Sequence, residues 1–210
     1  MSWVLWVILA LVVAFILLLT GLRVVRKASP SPIPFSWVWL LDNPLRRLIF
    51  SPKRLLDAVG IREGMQVLEI GPGPGHLTVE AAPRLGRGKL YGLDIEPRMI
   101  ARARRKLIRR RLNNVHLIVG NATSLPFAPE SFDLAFMIYV SGEIPYRERA
   151  LRELARVLRP GGVLSISEVV IDFDYSLKST ILALGRQAGF EPFEEKGNFF
   201  AYTINFRCPA

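Results

Sequence analysis

The chain has 210 residues, half of them hydrophobic, with 28 Lys and Arg against 18 Asp and Glu and a formal net charge of +10. That length suits one α/β domain with an appendage. A single cysteine, Cys208, excludes an internal disulfide and a cysteine-based zinc cluster, and no metal site is expected.

Trp3 to Leu22 is free of charged side chains. At about 1.5 Å per residue it spans roughly 30 Å, the thickness of a bilayer's hydrocarbon core. It predicts one N-terminal transmembrane helix. A cleavable signal peptide is the rival reading, which wants a cation before a shorter apolar run and a small-x-small cleavage site. Met1-Ser2 brings no side-chain cation, and Arg23, Arg26 and Lys27 follow the run instead. The positive-inside rule then places the rest in the cytoplasm, so the expectation is a single-pass membrane protein with a cytoplasmic domain. The chain divides into an anchor with its basic flank (1–27), a Pro/Ser linker (28–34), a pre-domain segment (35–60) and the domain proper (61–210). Phe35, Trp37 and Trp39 beside Arg46 and Arg47 suit a membrane interface, or equally a helix packing its aromatics on the core. Ser51-Pro52 caps and opens a helix through Val59, with Gly60 as its stop.

Gln66 to Ile70 is a short apolar strand carrying Glu69, and Gly71-Pro72-Gly73-Pro74-Gly75-His76 breaks it into a tight loop. Glycines there allow sharp turns and close approach of a ligand; prolines limit the entropy lost on binding. A helix to about Leu85 is expected behind the loop, its first N–H groups facing the ligand. A dinucleotide fingerprint needs a third glycine where His76 stands, so that pattern fails. Lys89 to Asp94 is the second strand. Its terminal acid is placed to accept the ribose hydroxyls of an adenosine cofactor.

Pro97 opens a helix through Leu112, with Met99, Ile100, Ala103, Leu107 and Ile108 as its expected buried stripe and arginines outside. That basic face is a solvated surface, a contact for anionic lipid, or a contact for nucleic acid. No aromatic interleaves the arginines and no nucleic-acid module appears, so nucleic acid is not expected. Membrane lipid is the partner expected for the anchor and the basic surface. Val115 to Val119 is the third strand, followed by Gly120-Asn121-Ala122. Leu125-Pro126-Phe127 and Ser131-Phe132-Asp133 lead into a fourth strand, Leu134 to Tyr139. A helix over Glu148–Leu158 ends in Arg159-Pro160-Gly161-Gly162, a turn into a fifth strand, Val163 to Ser167. A last helix, Leu177 to Ala188, precedes a hairpin over 193–206 whose Phe200, Tyr202, Ile204 and Phe206 share one face.

The acid-x-Gly-x-Gly-x-Gly pattern, Asp94, Gly-Asn-Ala, Ser-Phe-Asp and Arg-Val-Leu-Arg-Pro-Gly-Gly occur in order over about 64–207. Together they resemble class I S-adenosylmethionine (SAM) dependent methyltransferases of the methyltransferase type 11 or UbiE-like kind. The resemblance implies an α/β, Rossmann-like sheet of seven strands, the last antiparallel, with helices on both faces. It implies SAM as cofactor, bound by Glu69, Gly71, Pro72, Gly73, Gly75, Asp94, Ile95, Asn121, Ala122 and Tyr139. Asn121 stands where the family usually has Asp, and its amide oxygen still offers an acceptor to the adenine amino group.

Methyl transfer is displacement at a sulfonium methyl, so positioning and water exclusion carry much of the work. A base is needed only for a protonated acceptor. His76, Tyr139, Glu143 and Tyr146 are the candidate catalytic residues, with Ser141, Glu168, Asp172, Asp174 and Tyr175 also near strand ends, where open α/β sheets bind ligands. No Asn-Pro-Pro-Tyr motif follows the fourth strand, which argues against nucleobase acceptors. The expected acceptor is a small, lipophilic or membrane-associated molecule such as a quinone precursor or a lipid. A soluble metabolite or protein, or a silent SAM-binding module, is the alternative.

Overall fold

The computed structural model describes residues 3–28, 30–32, 34–37, 51–170, 172 and 174–209. Seven strands form one sheet: β1 (Gln66–Ile70), β2 (Lys89–Asp94), β3 (Val115–Val119), β4 (Phe132–Ile138), β5 (Leu158–Val169), β6 (Glu191–Gly197) and β7 (Ala201–Arg207), in the spatial order β3-β2-β1-β4-β5-β7-β6. β1 to β5 run parallel, and β7 is antiparallel to both β5 and β6. The order reverses beside β1, between β2 and β4. That switch point is where ligands bind in open α/β sheets.

Period-two alternation sends Leu68, Ile70, Ala135 and Met137 into one apolar cluster, and Val67, Leu134, Phe136 and Ile138 into the cluster on the opposite face. Both faces are covered, which is why these strands read as almost continuous apolar runs. α2 (Pro52–Val59) buries Leu56 and Val59 on the second face. Burying each contributes about 1.5–3 kcal/mol. Its Ser51 N-cap and left-handed Gly60, at φ 83°, bound it as expected.

Several expectations are corrected. Behind the glycine loop there is only one α-helical turn, α3 (Thr78–Ala81), continued by a 3-10 turn over Ala82–Leu85; Pro83 has no N–H to extend an α-helix. α4 (Pro97–Arg110) buries Met99, Ile100, Ala103 and Leu107, but Ile108 is 70% exposed, one position beyond the buried stripe. The Arg-Pro-Gly-Gly segment is not a turn ahead of β5. It lies inside the strand as an irregularity, where the pairing with β4 jumps from Phe132–Leu158 to Leu134–Val163. α5 (Arg147–Val157) and α6 (Lys178–Gln187) then cover the first face. In the hairpin Tyr202, Ile204 and Phe206 are buried, while Phe200 sits in the turn before β7 and is exposed.

α1 (Trp3–Ala28) has exposed apolar side chains, among them Trp3, Trp6 and Leu17. Among the described residues no helix is long and apolar enough to cross a membrane. That finding overturns the expected transmembrane anchor and the single-pass location. The basic end of α1 meets protein: Arg23 donates from Nη2 to the carbonyl of Val170, just after β5. Residues 38–50, including Trp39, Arg46 and Arg47 of the pre-domain segment, lie outside the described residues.

Candidate active site

A cavity of about 210 Å³ opens at the C-terminal ends of β1, β2 and β4. Its floor is the loop after β1, which three glycines shape for different reasons. Gly71, Gly73 and Gly75 all have positive φ, at 68°, 52° and 81°. A Cβ on Gly71 would lie 2.6 Å from a Val140 methyl, and one on Gly75 would lie 2.8 Å from Ala103 Cβ. Those two positions let β4's end and α4 approach the loop. A Cβ on Gly73 would meet no protein atom within 4 Å, yet Gly73 lines the cavity. It is the glycine whose missing side chain leaves room for a ligand.

Asp94 ties the loops together. Gly73 N donates to its Oδ2 at 2.9 Å and Glu96 N to its Oδ1 at 2.9 Å, while Gly120 N donates to its main-chain carbonyl at 3.0 Å. Each carboxylate oxygen keeps a lone pair for a further donor. Glu69 is 2% exposed and accepts from Thr78 Oγ1 at 2.8 Å. Burial pushes its carboxyl up to about 8, with the Asp94 charge adding to the rise against the Thr78 bond. Burial likewise raises Asp94, against the two backbone N–H bonds.

Five carboxylates line the cavity, from Glu69, Asp94, Glu96, Glu143 and Asp172, and no Lys or Arg does so among the described residues. Glu96 is held low by hydrogen bonds from Arg98, with which it is paired at 2.8 Å. Two acids raised by their surroundings, Glu69 buried and Asp94 half-buried, are relieved by an incoming cation. SAM carries a sulfonium and an ammonium against one carboxylate. The open face of Gly73 and the two raised acids fit such a ligand, whereas a dinucleotide would bring its pyrophosphate charge against the carboxylates.

Ile95, Ala122 and Asn121 stand on the far side, after β2 and β3. The oxygen of Asn121 is already engaged: Thr123 donates to Oδ1 from both N and Oγ1, each at 2.9 Å. Contact with an adenine amino group through that oxygen therefore competes with a turn, and Nδ2 is the other polar group this side chain offers. Tyr139 follows β4 at φ 61°, a conformation that costs a bulky side chain about 1–2 kcal/mol. Its N–H donates to Ser167 O at 2.9 Å, holding it on β5.

The catalytic candidates separate in space. His76, Tyr139 and Glu143 line the cavity; His76 Nε2 lies 3.3 Å from Lys106 Nζ. Tyr146 does not line it. It precedes α5 at φ 54° and is 82% exposed. Asp172 lines the cavity, whereas Ser141, Glu168, Asp174 and Tyr175 are buried behind it. The sequence reading missed part of the apolar lining. Pro32, Pro52, Leu55, Val140, Ile144 and Pro145 meet there from three separate stretches of chain, with no local pattern to mark them.

A family model described as a methyltransferase domain matches residues 68–166. The demethylmenaquinone methyltransferase of Geobacillus stearothermophilus is 34% identical over 119 residues, covering 56% of this chain and 51% of that protein. The chain thus spans about half the length of the curated relatives it matches. A SAM-dependent methyltransferase from Aquifex aeolicus superposes with a TM-score of 0.79 at 23% identity, over 84% of this chain and all of that one. Haemonchus contortus phosphoethanolamine N-methyltransferase 2, solved in complex with S-adenosyl-L-methionine, superposes at 0.66 with 18% identity, over 76% of this chain and 52% of that one. Residues 68–166 are thus similar to a methyltransferase domain, and the fold is that of the solved SAM-dependent methyltransferases.

Proposed function

We propose that the chain methylates a small, lipophilic acceptor with ring hydroxyls, of the quinone-precursor kind. The observation that carries this reading is the make-up of the cavity lining outside the glycine loop and the ends of β2 and β3, taken as its second end. Leu55, Val140, Ile144, Pro145 and Pro32 give it apolar walls, and Glu143 and Asp172 add two carboxylates. Apolar walls desolvate a ring, and carboxylates accept from hydroxyls on it. The name of the Geobacillus stearothermophilus relative points the same way.

At the first end the glycine loop meets the cofactor with backbone, and Glu69 takes its amino-acid portion. Asp94 takes the ribose while keeping its hold on Gly73. Ile95, Ala122 and Asn121 border the adenine, and Tyr139 stands between the two ends. The bound cofactor supplies a sulfonium methyl group. The protein aligns the acceptor for attack, excludes water and lets Glu143 or Asp172 draw on a hydroxyl proton, which enriches the ring carbon that attacks; that carbon then gives up its own proton, the oxygen regains one, and S-adenosylhomocysteine leaves.

The test supplies methyl-labelled SAM with a demethylated quinol, a phospholipid and a panel of soluble phenols and amines. Label should enter the quinol. Label in the phospholipid or only in a soluble compound would displace this acceptor class. SAM binding with no transfer to any of them would favour a silent binding module.

A further inference from the structure

β5 carries a second buried acid that does not touch the cavity. Glu168 is 2% exposed, and its oxygens accept from Ser141 Oγ at 2.7 Å and from Ser176 N at 3.4 Å. Ser176 is itself held twice: Arg147 Nη1 donates to its Oγ at 2.9 Å, and the Tyr202 hydroxyl donates to its carbonyl at 2.6 Å. Ser141 belongs to the segment after β4, Ser176 to the segment after β5. These segments touch backbone to backbone. A Cβ on Gly142 would lie 1.9 Å from Asp174 O. The first supplies Tyr139, Val140, Glu143, Ile144 and Pro145 to the cavity, and the second supplies Asp172.

We propose that Glu168 is a positioning residue for the acceptor wall: as a carboxylate it clamps the segment after β4 to the segment after β5 through Ser141 and Ser176, and protonation weakens the clamp. This rests on reading that end of the cavity as the acceptor's. A carboxylate only accepts, which suits an O–H and an N–H aimed at it. A protonated carboxyl makes Oε1 a donor to which the Ser141 hydroxyl can turn, but both bonds lose their charge assistance and become roughly half as strong.

The surroundings make the clamp responsive near neutral pH. Burial pushes the Glu168 carboxyl up to about 7, and Asp172 adds to the rise; Ser141, the Ser176 N–H and Arg147 oppose it. Tyr175 and Tyr202 are the other titratable groups facing it, and both hydroxyls are raised by burial and by the Glu168 charge. They stay neutral across this range. Raising the pH through 7 therefore tightens the wall.

The experiment uses the full chain as wild type, Glu168→Gln, Ser141→Ala and Ser141→Thr. It measures the quinol KM between pH 6 and 8, the affinity for S-adenosylhomocysteine, and amide exchange over residues 140–146 corrected for intrinsic rates. Wild-type KM should fall at least threefold as pH rises from 6 to 8. Glu168→Gln should raise KM at pH 8 about tenfold and flatten its pH dependence, because a neutral amide that does not titrate replaces the charge-assisted bonds by weaker ones. Ser141→Ala should raise KM about fivefold, and Ser141→Thr, which keeps the hydroxyl, should restore it. S-adenosylhomocysteine affinity should move less than twofold. Unchanged KM with an intact pH profile in Glu168→Gln would overturn the proposal, as would equal losses in acceptor and S-adenosylhomocysteine binding. Should no acceptor be methylated, the exchange arm still decides. Residues 140–146 should exchange at least fivefold faster in Glu168→Gln and in wild type at pH 6 than in wild type at pH 8, and equal exchange would refute the clamp.

Discussion

The two ends of the cavity are built by different means. At the cofactor end main chain does the shaping: three positive-φ glycines and one aspartate that binds two loops by their N–H groups. At the end proposed for the acceptor side chains join in: beside a glycine packed against a main-chain carbonyl stands a buried acid bonded to Ser141 and Ser176, and Ser176 is held in turn by Arg147 and Tyr202. Backbone shaping suits a cofactor whose form never varies. A wall made of side chains can be exchanged without disturbing the sheet beneath. The difference predicts that damage at each end will show in different measurements.

The largest effect should come from Gly142→Ala. Its new Cβ meets a main-chain carbonyl that cannot swing aside. Overpacking of this kind costs about 3 kcal/mol or more, and thermal unfolding should show a correspondingly large loss of stability. A stable Gly142→Ala protein would mean that the two segments separate easily, and the contrast between the ends would weaken.

Next come two cofactor-end variants. Gly73→Val places branched atoms where no protein atom now stands, so it should remove measurable SAM binding while the sheet persists. Asp94→Ala should cost about 1.5–3 kcal/mol of SAM affinity, the range for hydrogen bonds to a charged group. That is roughly ten- to a hundredfold. Calorimetry on the two variants checks both. Unchanged affinity in both would remove the cofactor assignment.

This contrast also explains what the sequence made legible. β1, β2 and β3 lie where the apolar runs placed them, because each is a short run closed by an acid or a glycine. Local spacing along a single turn sets Glu69 beside Gly73, and Asp94 marks the end of the next strand. The Glu168 clamp was not legible. Its members come from 141, 147, 168, 176 and 202, and only tertiary packing joins them. Glu168 gave one local hint, as an acid inside Ser-Ile-Ser-Glu-Val-Val. The apolar lining from Pro32, Pro52 and Leu55 is similarly non-local. Arg-Pro-Gly-Gly misled in the other direction. Its residues favour a turn, yet flanking strands on both sides absorb it into β5.

The pH dependence of stability separates the two ends more finely. Glu69 in the ligand-free protein is raised from 4.5 to about 8, so the folded state holds a proton that the unfolded state has lost. Stability from this group is full below about pH 4.5 and declines as pH rises toward 8, by at most about 1.4 kcal/mol per pH unit for one proton. Glu96, Glu153 and Glu194 are lowered by Arg98, Arg156 and Lys196 and act in the opposite sense. Subtracting the Glu69→Gln curve from wild type, in denaturant titrations at each pH, isolates the first contribution. Its slope should be downward between pH 5 and 7. An upward slope would mean that Glu69 is ionised and already partnered in the ligand-free protein.

The smallest effect is expected at Asn121, and it tests what a departure from the family pattern means. Its oxygen accepts from Thr123 N and Thr123 Oγ1, which makes the residue a turn-former before it is a ligand contact. Aspartate keeps the Oδ1 acceptor of both turn bonds in place, replaces the amide NH2 by a second oxygen and adds a negative charge. Asn121→Asp should therefore preserve the turn and change SAM affinity less than about threefold, or about 0.6 kcal/mol. Asn121→Ala loses the turn bonds and should cost about 1 kcal/mol of stability or affinity, the worth of an ordinary hydrogen bond. Calorimetry and thermal unfolding on the pair separate the two roles. A tenfold loss in Asn121→Asp would show that the amide donors contact the cofactor, and would make Asn121 a side-chain ligand in an end otherwise shaped chiefly by main chain.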